Sequence, residues 1–68
     1  MVKKNEPAML AIDRHRRLMT LIDEAGSLRT ADAARMLSVT EETVRRDFEK
    51  LEAEGRLIRT HGGAVRVD

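Results

Sequence analysis

Cysteine is missing from this chain, so neither a disulfide nor a thiolate zinc site can reinforce the fold. Tryptophan and tyrosine are missing as well, and Phe48 is the one aromatic residue. Single-stranded nucleic acid is gripped largely by stacking bases on aromatic rings, and one ring makes no such platform. Long apolar runs are also lacking, which leaves nothing to span a bilayer as a helix. The basic start at Met1–Lys4 is not followed by the apolar core of a signal peptide, so a cytoplasmic location is the default. An excess of one charge is missing too, with a net charge of +1 and a pI near 8.3. A duplex-binding domain is ordinarily more basic than this, so any such reading must rest on where the charges sit. No nucleophile–base set, phosphate loop or metal cluster can be assembled. His61 could ligate a metal in principle, but His15 is the only other histidine. Neither an enzyme, a metal nor a cofactor is expected in this domain.

What is present is 68 residues, enough for one small domain. At this size a fold buries only about 60% of the surface its unfolded chain exposes, so the core must be compact. Hydrophobic residues make up 41% and charged residues 37%, a mix that fits a charged helical module rather than a disordered tail. Residues 1–8 read as a flexible basic arm, and 9–67 as the folded domain. Leu18, Leu21, Ile22 and Ala25 follow the i, i+3, i+4, i+7 spacing of a helical stripe. That helix is expected from about Met9 to Ala25, with Gly26 as its left-handed stop. His15 reads as a solvated residue on it. Ser27, Leu28 and Arg29 form a short extended link. Thr30 then suits the N-cap of a short second helix over Ala31–Leu37, rich in small alanines that permit close packing.

Ser38 and Val39 make a turn, with Val39 as its one apolar plug, and Thr40 caps a third helix from Glu41 to about Glu54. Val44, Phe48 and Leu51 give that helix its apolar face, and Gly55 ends it. Two β-prone runs, Leu57–Thr60 and Ala64–Val67, flank His61, Gly62 and Gly63 and predict a hairpin. The order is mainly α with a small β-hairpin: a winged helix-turn-helix of three helices plus a wing. A helix-turn-helix places its second helix in the major groove. The same pattern also fits an ordinary helical hairpin.

The charges on the third helix bear on that choice. At about 100° per residue, Glu42, Arg46 and Lys50 point away from the apolar stripe, flanked by Thr43 and Arg45. Arginine can hold guanine O6 and N7 together, while glutamate can accept from cytosine N4. Glu41 is read as complementing the helix dipole, and Glu42 is open between that role and base contact. Farther along, Glu49, Glu52 and Glu54 would be repelled by phosphate, so contact is confined to the front of the helix and to the hairpin. Thr40, besides capping, can donate to a phosphate. In the hairpin, Arg59, Thr60, His61 and Arg66 offer donors around a tip where Gly62 and Gly63 permit positive φ and close backbone approach. A plain glycine-turned hairpin is the alternative. Asp47 sits at the edge of the apolar face and needs a partner, since an unpaired charge there is costly. Arg14, projecting from the stripe of the first helix, is the natural one, giving Arg14 and Asp47 a structural role.

The sequence resembles the DNA-binding domain of the DeoR family of bacterial regulators of sugar catabolism. Arg14, Leu18 and Ile22 occur at the family's spacing. The run Thr40-Glu41-Glu42-Thr43-Val44-Arg45-Arg46-Asp47-Phe48 follows, and Leu51 and Gly55 lead into Arg59-Thr60-His61-Gly62-Gly63-Ala64. Together these cover about Arg14 to Val65. Ala33 stands where a larger aliphatic is usual, and Arg56 where an apolar residue is common. The resemblance implies a winged helix-turn-helix that binds double-stranded operator DNA, commonly as a repressor. It further implies a larger C-terminal domain that senses a phosphorylated sugar and assembles homo-oligomers. That domain is not in this chain, which ends at Asp68 where the family's linker would begin. The chain is accordingly read as an N-terminal domain, monomeric when isolated. A winged helix that uses its third helix against a protein partner is the competing expectation, motivated by the small net charge.

Overall fold

A computed structural model describes residues 10–68; the expected arm over residues 1–8, and Met9, lie outside them. The described chain runs α1 (Ala11–Ala25), β1 (Ser27–Arg29), α2 (Thr30–Leu37), α3 (Glu41–Ala53), β2 (Leu57–Thr60) and β3 (Gly63–Arg66). The mainly helical architecture with a wing follows the sequence reading. The β part is larger than a hairpin, because the extended link after α1 joins it as a third strand. The sheet order is β1-β3-β2, antiparallel throughout, with Leu28 opposite Ala64 and Arg59 opposite Ala64 on the other side. The central strand is thus the last one made.

The three helices end in related ways. Gly26 adopts φ 88° and its N–H bonds the Ile22 carbonyl at 2.7 Å, closing α1 as its sequence position predicts. After α3, Gly55 (φ 76°) donates to Glu52 at 2.9 Å while Arg56 donates to Leu51 at 3.0 Å. This paired pattern satisfies the carbonyls that a helix end otherwise leaves open. The residue in Arg56's place usually makes an apolar contact in this motif. Here its side chain instead meets Glu54 at 3.5 Å. The same pair of bonds closes α2, from Ser38 to Arg35 at 3.4 Å and from Val39 to Ala34 at 3.0 Å. Ser38 takes the left-handed position with φ 57°, a conformation that disfavours most side chains. The tight turn brings Val39 partly into the core, as its plug role requires.

Among the described residues the buried core is made by Leu18, Ile22, Ala33, Ala34, Leu37, Val44, Phe48, Leu51, Leu57 and Ala64. In α1 the inward stripe differs from the expected one. Leu18 and Ile22 are buried, but Leu21 is only partly so and Ala25 is exposed. Met19, His15 and Arg14 complete the inward side instead, each at least partly covered. Thr30 does not cap α2. Arg29 occupies the cap position without a side-chain bond, because β1 carries extended backbone up to it. Thr30 is already helical, and its N–H bonds the Gly62 carbonyl at 2.9 Å. The hairpin turn thereby takes up one of the open donors of α2.

Candidate nucleic-acid interface

α3 is fixed in place from behind. Asp47, on its inner side, is 5% exposed and receives two bonds from Arg14 of α1, through Nε and, at 2.9 Å, through Nη2. His15 adds a third contact, its Nε2 lying 2.8 Å from Asp47 Oδ1. Burial alone would push the Asp47 carboxyl up. The hydrogen bonds from Arg14 and His15, with the charge of Arg14, outweigh it and hold the carboxyl below its usual value. The bond to Asp47 in turn raises Arg14 above its own. The predicted pair is therefore present. The expectation that His15 is solvated is not met, since the ring is largely covered and serves as a second anchor. Its place beside Arg14, one turn before Leu18 and Met19, carried that signal.

At the front of α3, Thr40 Oγ1 accepts from the Thr43 N–H at 3.1 Å and lies 3.1 Å from Thr43 Oγ1. The cap is as expected, and it ties the two hydroxyls together. Glu42, Arg45 and Arg46 are exposed beyond them. The two arginines are met by glutamates of the preceding turn. Arg45 approaches Glu41 at 3.6 Å and Glu42 at 4.0 Å, and Arg46 approaches Glu42 at 3.7 Å. Lys50 is exposed one turn farther on. It borders a groove against the start of α1 with Ile12, Arg16, Glu54 and Arg56.

The wing is organised differently from the expectation. Thr60, His61 and Gly62 are exposed at the turn, but Gly63 is buried in β3. Neither Gly62 nor Gly63 has a positive φ; the left-handed glycines are Gly26 and Gly55. Gly63 is needed for space, because a Cβ on it would stand 2.2 Å from the Leu28 carbonyl oxygen. Arg59 turns toward the rear of α3: its N–H bonds Glu52 Oε2 at 3.0 Å and its guanidinium lies 3.5 Å from Glu49. The rear carboxylates, read as repelling phosphate, thus hold the wing strand. Arg66 is at the hairpin base rather than its tip, paired in register with Leu57. Its side chain donates to the Asp23 carbonyl near the end of α1 at 2.8 Å. α1 has no basic residue in its own last turn, so Arg66 supplies the favourable cation from a distance. Among the described residues, no hydrogen bond or ion pair joins the wing tip to the Thr40–Arg46 patch.

A family model described as the DeoR-like helix-turn-helix domain matches residues 14–68. The chain belongs to this family. As a DeoR-like domain it is a DNA-binding module of a transcriptional regulator, the fold and the family agreeing. It is 44% identical over 59 residues to an uncharacterized transcriptional regulator, YulB, of Bacillus subtilis, covering 87% of this chain and 23% of that protein. It is 45% identical over 54 residues to the transcriptional repressor CsqR of Escherichia coli, covering 79% of this chain and 21% of the repressor. A lactose phosphotransferase system repressor of Staphylococcus epidermidis is 42% identical over 52 residues, or 76% of this chain and 21% of its own length. The DeoR-like chain spans less than a quarter of these relatives. No solved structure gave a significant match.

Proposed function

We propose that this DeoR-like domain reads duplex operator DNA with the front of α3, as the N-terminal part of a longer repressor of sugar-catabolism genes. The observation that carries the reading is the exposed Arg45–Arg46 pair in the first half of a helix whose back is locked by Asp47. A reading helix must present its arginines from a rigid base, because guanine recognition depends on a bidentate fit. Thr40 and Thr43 at the helix start serve backbone phosphate, and Thr60, His61 and Gly62 at the turn of the wing serve the flanking strand. Lys50 lies behind the readers and contributes general attraction. Arg59 and Gly63 support the wing from within, the one bonded to α3 and the other packed on β1.

The relative named as a lactose phosphotransferase system repressor supports sugar catabolism as the regulated process. A phosphorylated sugar is then the effector, bound by a further domain that also forms the homo-oligomer, and the site of action is the cytoplasm. No helix among the described residues is long and apolar enough to cross a membrane. Alone, the chain acts as a monomer and binds weakly, because it cannot join two half-sites.

The test starts with duplexes selected from a random pool. Binding should weaken with salt along a log–log slope near −0.9 per phosphate neutralised. Arg46→Ala should relax the preference at one base pair at a cost on the order of 1–3 kcal/mol. A chain that enriches no sequence and shows no salt dependence is a protein-interaction module instead.

A further inference from the structure

Glu42 occupies a place on α3 that the helix dipole alone does not explain. It is the residue that meets both reader arginines, Arg46 at its Nε (3.7 Å) and Arg45 at a terminal nitrogen (4.0 Å). Glu41 meets Arg45 alone, at 3.6 Å. These four side chains are 50–75% exposed, so the pairs contribute little to stability. What they can fix is direction. The contact at Nε engages the inner edge of the Arg46 guanidinium and leaves both terminal amino groups free for an end-on, bidentate hold on guanine O6 and N7. Arg45 is met through both terminal nitrogens.

We propose that Glu42 is a positioning residue that steadies Arg46 for base reading and thereby sets the ratio of specific to non-specific DNA binding. The proposal rests on the reading of α3 given above. On a matched site Arg46 keeps Glu42 at Nε while its terminal nitrogens take the guanine, and the ion pair survives. On an unmatched duplex only phosphate is available, and phosphate attracts without regard to sequence. Arg46 must then swing toward the groove wall and leave Glu42 unpaired beside the backbone. The penalty falls on the non-specific complex. With two glutamates and two arginines, Glu41, Glu42, Arg45 and Arg46, the front of α3 carries no net charge. That cancellation adds little to sequence-blind attraction, in keeping with a chain whose net charge is only +1.

The experiment measures the 68-residue chain on two duplexes, one selected from a random pool and one scrambled from it. Glu42→Gln should tighten the scrambled duplex about tenfold at ~0.1 M salt and steepen its salt slope by about one phosphate equivalent. On the selected duplex the same electrostatic gain is offset by lost orientation, so the specificity ratio falls. Glu42→Asp keeps the charge but loses the reach to Arg46, so it should lower the specificity ratio by weakening the selected duplex without steepening the salt slope. In an Arg46→Ala background Glu42→Gln should leave the ratio unchanged. If Glu42→Gln weakens only the selected duplex, and does so equally without Arg46, the glutamate reads a base itself and the proposal is overturned. If Glu42→Gln changes neither affinity while Arg46→Ala relaxes base preference, α3 reads DNA but Glu42 has no part. If Arg46→Ala leaves base preference intact, the reading of α3 fails and the proposal with it.

Discussion

Gly63 lies so close to Leu28 that a methyl group on its Cα would stand 2.2 Å from the Leu28 carbonyl oxygen and 2.8 Å from Arg29 Cα. The obstacle is the backbone of β1, so no side-chain rotation relieves it. Gly62, its neighbour in sequence, has nothing within 4 Å of the same position. Gly63→Ala should therefore separate β1 from β3 and destabilise the domain by about 2 kcal/mol or more, as overpacking against fixed structure does. Gly62→Ala should fall within about 0.5 kcal/mol of the parent. Thermal melts of the two variants check the contrast, and equal melting temperatures would contradict the strand packing described.

That contrast marks where sequence reading stops. Spacing exposes the helical stripe, so Leu18, Ile22, Val44, Phe48 and Leu51 are legible as core. Local chemistry exposes the cap at Thr40 and the stops at Gly26 and Gly55. The front of α3 is legible for the same reason, since its exposed residues follow from helical geometry once the core face is known. β1 is not, because three residues acquire strand pairing only when β3 arrives from 36 positions away, as in Leu28 opposite Ala64. The Thr30 cap fails for the same cause: pairing of β1 shifts the helix start, and a distant carbonyl takes the donor. His15 shows the limit of a polarity rule, since a polar ring turns inward wherever a buried carboxylate awaits it. The roles of Arg59 and Glu52 likewise exist only between elements.

The anchor behind α3 makes a second prediction. Asp47→Asn keeps the volume but removes the charge that Arg14 and His15 share, leaving a largely covered guanidinium without its counter-ion. Breaking one side of such a pair costs about 2–4 kcal/mol, less than a fully buried pair because Arg14 keeps some access to water. A small domain loses about 4–8 °C of melting temperature per kcal/mol, so the drop should be about 8 °C or more. Arg14→Leu combined with Asp47→Leu should recover part of it, because no unpaired charge remains. A double-mutant cycle with no coupling between the two positions would contradict the anchor.

Acid should act through the same carboxylate. Its folded value is lowered, so the native state prefers it ionised. The resulting stability is present above the unfolded value of about 3.9 and is lost as pH falls through the lower folded one. Urea midpoints measured between about pH 7 and pH 2 should fall on the acid side. The fall should be shallower in Asp47→Asn, which has no carboxyl there to protonate. Parallel acid limbs in the two proteins would show that Asp47 is not the linked group.

The wing is held to α3 by a bond that a sequence reader would assign to repulsion. Glu52 accepts the Arg59 N–H at 3.0 Å, and Glu49 stands 3.5 Å from the same residue's guanidinium. Arg59 lies on β2, an outer strand of the sheet that among the described residues pairs with β3 alone. Glu52→Ala removes the acceptor at an exposed position where water can replace it, so the stability cost should stay near 0.5–1.5 kcal/mol. The effect should instead be local, with faster hydrogen exchange at the Arg59 amide while the amides of Phe48 and Leu51 in α3 keep their protection. If the wing carries backbone contact, the same variant should weaken selected and scrambled duplexes by a similar factor, because a loosened wing loses phosphate contacts of either kind. A loss confined to the selected duplex would assign base reading to the wing, and unchanged exchange at Arg59 would remove the Glu52 tether.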